Sequence, residues 1–173
     1  MKNILSCAKT AIILLIVAVI SIGFYTYMLV RPISYGMSYH SVTENEYGTY
    51  EGTMIFYADK TMVNKNTNFV EVLKSRYYYK GGYVFFTNAV NDEQYKEEVA
   101  EINKNFDKAI NTPFYAEEIN AFRLVVTEGD GYMQIYTCES AIIFAIVGGI
   151  VELLLIGLTG VSVMLHIKKK KTI

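Results

Sequence analysis

Apolar residues run almost unbroken through positions 10–30 and again through 141–166, and between these blocks the pattern turns over on a much shorter period. Each block meets the roughly 20 residues that a helix needs to span a hydrocarbon core about 30 Å thick, so the pattern predicts two transmembrane helices. Arg31 and Pro32 close the first, because proline lacks an amide hydrogen and restricts the residue before it. Phe24, Tyr25 and Tyr27 stand near that end, where an interfacial aromatic belt is expected.

The residues between the blocks read as one domain. Positions 33–45 form a polar connector. Positions 47–57 are rich in Tyr, Thr, Ile and Phe, and a turn at Ala58, Asp59 and Lys60 leads into 61–64, which predicts a hairpin. A second hairpin follows from 70–79, a turn at Lys80, Gly81 and Gly82, and 83–87. The period then changes. Tyr95, Val99, Ile102, Phe106, Ala109 and Ile110 recur at spacings of three and four, which predicts an amphipathic helix over 91–110 with Asn91 as its N-cap and Asn111, Thr112 and Pro113 as its stop. Residues 121–127 and 132–138 read as a third hairpin around Glu128, Gly129, Asp130 and Gly131.

Four strands, one helix and two strands, with mostly short connections, give an α+β membrane protein. Two transmembrane helices flank an extracytoplasmic antiparallel β-sheet carrying one amphipathic helix, with a small partly closed β-barrel as the alternative.

Charge sets the topology. Lys2 and Lys9 precede the first block, and Lys168, Lys169, Lys170 and Lys171 follow the second, so the positive-inside rule puts both ends in the cytoplasm. The expected organisation is a cytoplasmic tail at 1–9, a span at 10–30, an outer domain at 31–140, a span at 141–166 and a lysine-rich tail at 167–173. The rival reading is a signal peptide cleaved near Ser21, Ile22 and Gly23, against which the apolar run continues through Leu29. The terminal lysines anchor to anionic lipid in this reading. An Ile-, Lys-, Asn- and Tyr-rich chain with no glycosylation acceptor in its outer domain favours a bacterial cell membrane; in a eukaryote the last lysines would resemble an endoplasmic reticulum retrieval signal.

Candidate chemistry is sparse. Positions 31–139 carry ten basic and sixteen acidic residues, which argues against a nucleic-acid partner. His40 and His166 lie at opposite ends of the outer domain and second span, and no nucleophile elbow, Cys-x-x-Cys pair or phosphate-binding glycine loop occurs, so no catalytic residue, metal site or cofactor is expected. Cys7 and Cys138 fall on opposite membrane faces and cannot pair within one chain. The carboxylates of 92–101 share their helix with Lys96, Lys104 and Lys108 at nearby spacings and read as a solvated face.

Two features stand out. Glu152 is an ionisable residue mid-span, where an unpaired charge is costly. Ala145, Gly148, Gly149, Glu152, Thr159 and Gly160 project onto one helical side, a small-residue stripe suited to close packing, and Ser21 falls at the same depth in an antiparallel pair. The bland reading is a neutral Glu152 bonded to Ser21; the functional ones are docking to another membrane subunit, or ion or proton conduction. The second feature is Tyr77, Tyr78, Tyr79 and Tyr83, which form either core packing or an exposed platform for a glycan, peptide or protein. The expected function is a non-enzymatic accessory or sensing subunit of a cell-envelope complex, whose partners are the bilayer and another membrane protein or a second copy. The alternative is a homo-oligomeric channel or transporter component built on Glu152. No small-molecule ligand can be named from these residues.

Overall fold

The computed structural model describes residues 2–45, 48–66, 73–111, 116–127 and 133–171, with side chains given throughout except at 2–8, 45, 50, 66, 73 and 169–171. The chain divides into two compact units, one of residues 1–30 with 143–173 and one of residues 31–142.

The first unit is a helix pair. α1 (Lys2–Val30) and α4 (Glu139–Lys171) contain the stretches Lys9–Val30 and Glu139–Lys168, long and apolar enough by length and composition to cross a membrane. Their contacts run in opposite directions: Phe24 meets Phe144 edge to face at 6.3 Å, Tyr25 reaches Ala145, and Ser21 reaches Glu152. The pair is therefore antiparallel. Ala11 and Ala18 are buried, whereas Ile20, Leu153 and most other large apolar side chains of both helices are exposed. In water such a surface would be untenable; facing acyl chains it costs nothing.

The second unit is a closed barrel of eight antiparallel strands in sequence order: β1 (Ser38–Asn45), β2 (Gly48–Phe56), β3 (Thr61–Asn66), β4 (Leu73–Lys80), β5 (Tyr83–Thr87), β6 (Glu117–Ile119), β7 (Arg123–Thr127) and β8 (Met133–Thr137). The sequence predicts an antiparallel sheet with a small partly closed barrel as the alternative, and the barrel describes the sheet better, here fully closed. Two stretches account for the difference. The polar connector at 33–45 supplies β1, whose Tyr39 and Ser41 are buried while Ser38 and Glu44 are exposed, so a strand hides behind hydrophilic composition. The stretch between the expected helix stop and the third hairpin supplies β6, only three residues long. β8 closes on β1 at His40 and Thr137, and β5 on β6 at Tyr83 with Glu118 and Val84 with Glu117. Positions 47, 67–72, 112–113 and 128–132, which carry parts of the expected strands, the helix stop and the third hairpin turn, lie outside the described residues.

The expected helix divides into α2 (Asp92–Lys104) and α3 (Phe106–Ile110) at Asn105, whose φ of −118° and ψ of 28° leave the helical region. Asn91 caps α2 by accepting from the Gln94 amide at 2.9 Å.

The interior is aromatic. Tyr39, Phe56 and Tyr77 meet edge to face at centroid distances of 5.6 and 5.1 Å, joined by Met54, Met62, Val84, Ile119, Leu124 and Tyr136. Each such side chain contributes roughly 1.5–3 kcal/mol of burial, with the ring pairs adding about 1 kcal/mol more. Gly52 is required here, since a Cβ there would lie 2.6 Å from the Tyr136 hydroxyl. A second cluster of Phe85, Ile102 and Ala109, with Tyr78, Tyr83 and Phe106, packs α2 and α3 on the outer face of β4 and β5.

Candidate functional site

On α4, positions 145, 148, 149, 152 and 159 fall along one side because they recur at three and four residues. That side meets α1. Tyr25 lies across it: its hydroxyl donates to the Ala145 carbonyl at 2.6 Å, and a Cβ on Gly148 would stand 2.8 Å from its ring, one on Gly149 3.0 Å from its hydroxyl. The two glycines thus form the recess that receives an aromatic ring. One turn further, Ser21 donates to Oε1 of Glu152. Glu152 is only 7% exposed, and among the described residues its Oε2 has no hydrogen-bond partner. Thr159 is buried and donates its hydroxyl to the Leu155 carbonyl at 2.8 Å, an intrahelical bond. Gly160 is exposed, with open space where a Cβ would be, so it stands apart from this contact.

Of the small-residue set, the structure therefore gathers Ser21, Ala145, Gly148, Gly149 and Glu152 around Tyr25. Lys168 is exposed, and the side chains of Lys169, Lys170 and Lys171 lie outside the described residues.

The tyrosine cluster is taken up by packing. Tyr77 is fully buried in the barrel and donates to the Tyr57 carbonyl at 2.7 Å. Burial and the nearby Tyr35 raise its pKa well above the usual phenol value. Tyr78 faces the helices and donates to Asn103 at 3.0 Å; Tyr79 leans on the core and accepts from the Gly82 amide; Tyr83 packs against Phe106. Tyr77 is buried and the other three are half-buried, each engaged in packing.

Arg76 pins α2 to the barrel. It pairs with Asp92 at 2.7 Å and lies 5.4 Å from the Tyr95 ring centre. Cys138 is free and fully buried, which keeps it from partners as the fold stands. Among the described residues no group of three His, Cys, Asp or Glu side chains could hold a metal ion.

Two features escape sequence reading. Glu117 is 6% exposed, accepts from the Thr127 amide at 3.0 Å, and its pKa is pushed up to about 7 by burial, against the lowering effect of that amide. Its signal was the alternation of Glu117 with Ile119, which places both on the inward face once β6 is known to be a strand. The other is a cavity of about 1070 Å³ lined by residues of β2 to β5, among them Met54, Met62, Asn64, Ser75 and Phe86. It exists only because distant strands are brought together. Compared with known protein families and with curated proteins, the chain matches none.

Proposed function

We propose that this is a two-pass membrane protein with both ends in the cytoplasm, holding its barrel on the far side of a cell membrane as a non-enzymatic accessory or sensing subunit. The observation that carries the reading is the helix pair: two long helices with apolar outer faces, between which Ser21 bonds to Glu152 and Tyr25 to the Ala145 carbonyl. A carboxyl so placed is costly unless it is bonded, which makes it an architectural device within the anchor.

The partner surface lies on the barrel. Val42 on β1 and Met133 and Ile135 on β8 are each more than half exposed on adjacent strands, on their outward-facing positions. Another membrane protein of the same complex, presenting an apolar patch outside the cytoplasm, suits this row. The test is affinity capture from mild detergent with the tagged full chain. A stoichiometric membrane protein should co-purify with the wild type and be lost with the double variant Val42→Glu and Ile135→Lys, while the chain itself stays in alkali-washed membranes. Release of the chain by alkali, or a partner that ignores the double variant, contradicts the proposal.

A homo-oligomeric channel or transporter component is the second reading, favoured by the unpartnered Oε2 of Glu152. It would show as self-cross-linking that Glu152→Gln removes.

A further inference from the structure

Eight-stranded barrels are just wide enough for side chains to fill them or for one small ligand to enter. This barrel is filled in one part and open in another. Around Tyr39, Phe56 and Tyr77 the interior is solid. Beside it, along β2 to β5, lies the cavity of about 1070 Å³, just above the roughly 300–1,000 Å³ usual for ligand pockets.

The lining has two chemistries. Met54 and Met62 are 5% and 3% exposed and form an apolar, polarisable floor. Phe86 lies nearly parallel to the buried Phe56, with 15° between ring planes and 6.5 Å between centroids, and 39% of the residue remains accessible. A half-open ring beside two thioethers is a surface for an apolar body. Asn64 and Ser75, half-buried in the wall, add hydrogen-bonding groups, and the rim carries the exposed Lys74 together with Asp59, which accepts from Thr61, and Arg76, which pairs with Asp92.

Resting on the binding role proposed for the barrel, we infer that this cavity takes a small single-chain amphiphile with an anionic head: its apolar chain lies on Met54, Met62 and Phe86, and its carboxylate pairs with Lys74 and the polar wall. Few polar groups set orientation while apolar contact supplies most of the affinity. The pairing with an exposed ammonium is weak on its own, so Lys74 selects the headgroup without dominating binding.

The test uses the full chain in lipid nanodiscs with ¹³C-methyl methionine, read by NMR during titration with octanoate and, separately, 1-octanol. Met28 and Met164, on the two long helices, report partition into lipid. Saturable shifts at Met54 and Met62 are expected, and Ser75→Phe, which fills the cavity, should abolish them. Lys74→Gln, at an exposed position that leaves the fold intact, should weaken octanoate about two- to fivefold and leave octanol unchanged. Shifts confined to Met28 and Met164, shifts that survive Ser75→Phe, or equal octanoate affinity in Lys74→Gln would overturn the inference. None of these readouts depends on the partner captured in the preceding experiment, so either proposal can fail alone.

Discussion

Ser21 and Glu152, separated by 131 positions in the chain, form a direct hydrogen bond between two otherwise apolar helices. Hydrogen bonds of this kind inside a bilayer contribute about 0.6 kcal/mol on average and seldom more than about 2 kcal/mol. Ser21→Ala should therefore loosen the pair only slightly. Removing the carboxyl relieves its burial as well, so Glu152→Leu should leave insertion unchanged and loosen the pair no more than Ser21→Ala does. Disulfide cross-linking between cysteines introduced on facing positions of α1 and α4 reads both effects.

The glycine recess should matter more. A Cβ at position 148 would stand 2.8 Å from the Tyr25 ring, so Gly148→Val should force the helices apart at a cost of about 1–3 kcal/mol. Tyr25→Ala should restore most of the cross-linking lost in Gly148→Val. A Gly148 variant indifferent to Tyr25 would show that the ring does not occupy the recess.

Within the barrel the same logic applies to Gly52, where the obstacle is the Tyr136 ring. Gly52→Ala should lower stability by about 1–3 kcal/mol, and combining it with Tyr136→Leu should cost less than the sum of the two single changes. Thermal unfolding followed by near-ultraviolet tyrosine dichroism measures the coupling.

Glu117 makes stability depend on pH. Its folded pKa, about 7, is raised above the ordinary carboxyl value because burial penalises the charged form. In the interval from about 4.5 to 7 the folded state holds more protons than the unfolded state, so stability falls as pH rises through that window. The barrel should be more stable at pH 5 than at pH 8, by up to about 2–3 kcal/mol from this group. Glu117→Gln should flatten that slope; an unaltered pH profile would remove Glu117 as its source.

Long-period features were legible in the sequence and closure was not. The two apolar blocks became α1 and α4, and the shared depth of Ser21 and Glu152 followed from counting residues along antiparallel helices. Period-two alternation separated Tyr77 and Tyr79 from Tyr78, which the structure puts inside the barrel and under the helices respectively. β1 was obscured because its outward Ser38, His40 and Glu44 are hydrophilic, and β6 because three residues are too few to show a period. Without those two strands the sheet has no way to close. Glu117 then has no interior to face, and Met54, Met62 and Phe86 have no common cavity. The break at Asn105 was equally hidden, since the apolar stripe continues across it to Phe106 and Ala109.

The account depends on opposite sides of a membrane being reached by the barrel and by the helix ends. Single cysteines at Val90, 84% exposed on the barrel unit, and at Lys168 can be introduced into a Cys7→Ser background, with native Cys138 buried. In intact cells a membrane-impermeant maleimide should label Val90→Cys at once and Lys168→Cys only after the membrane is permeabilised. Labelling of both in intact cells, or of Lys168→Cys alone, would contradict the topology and the function built on it.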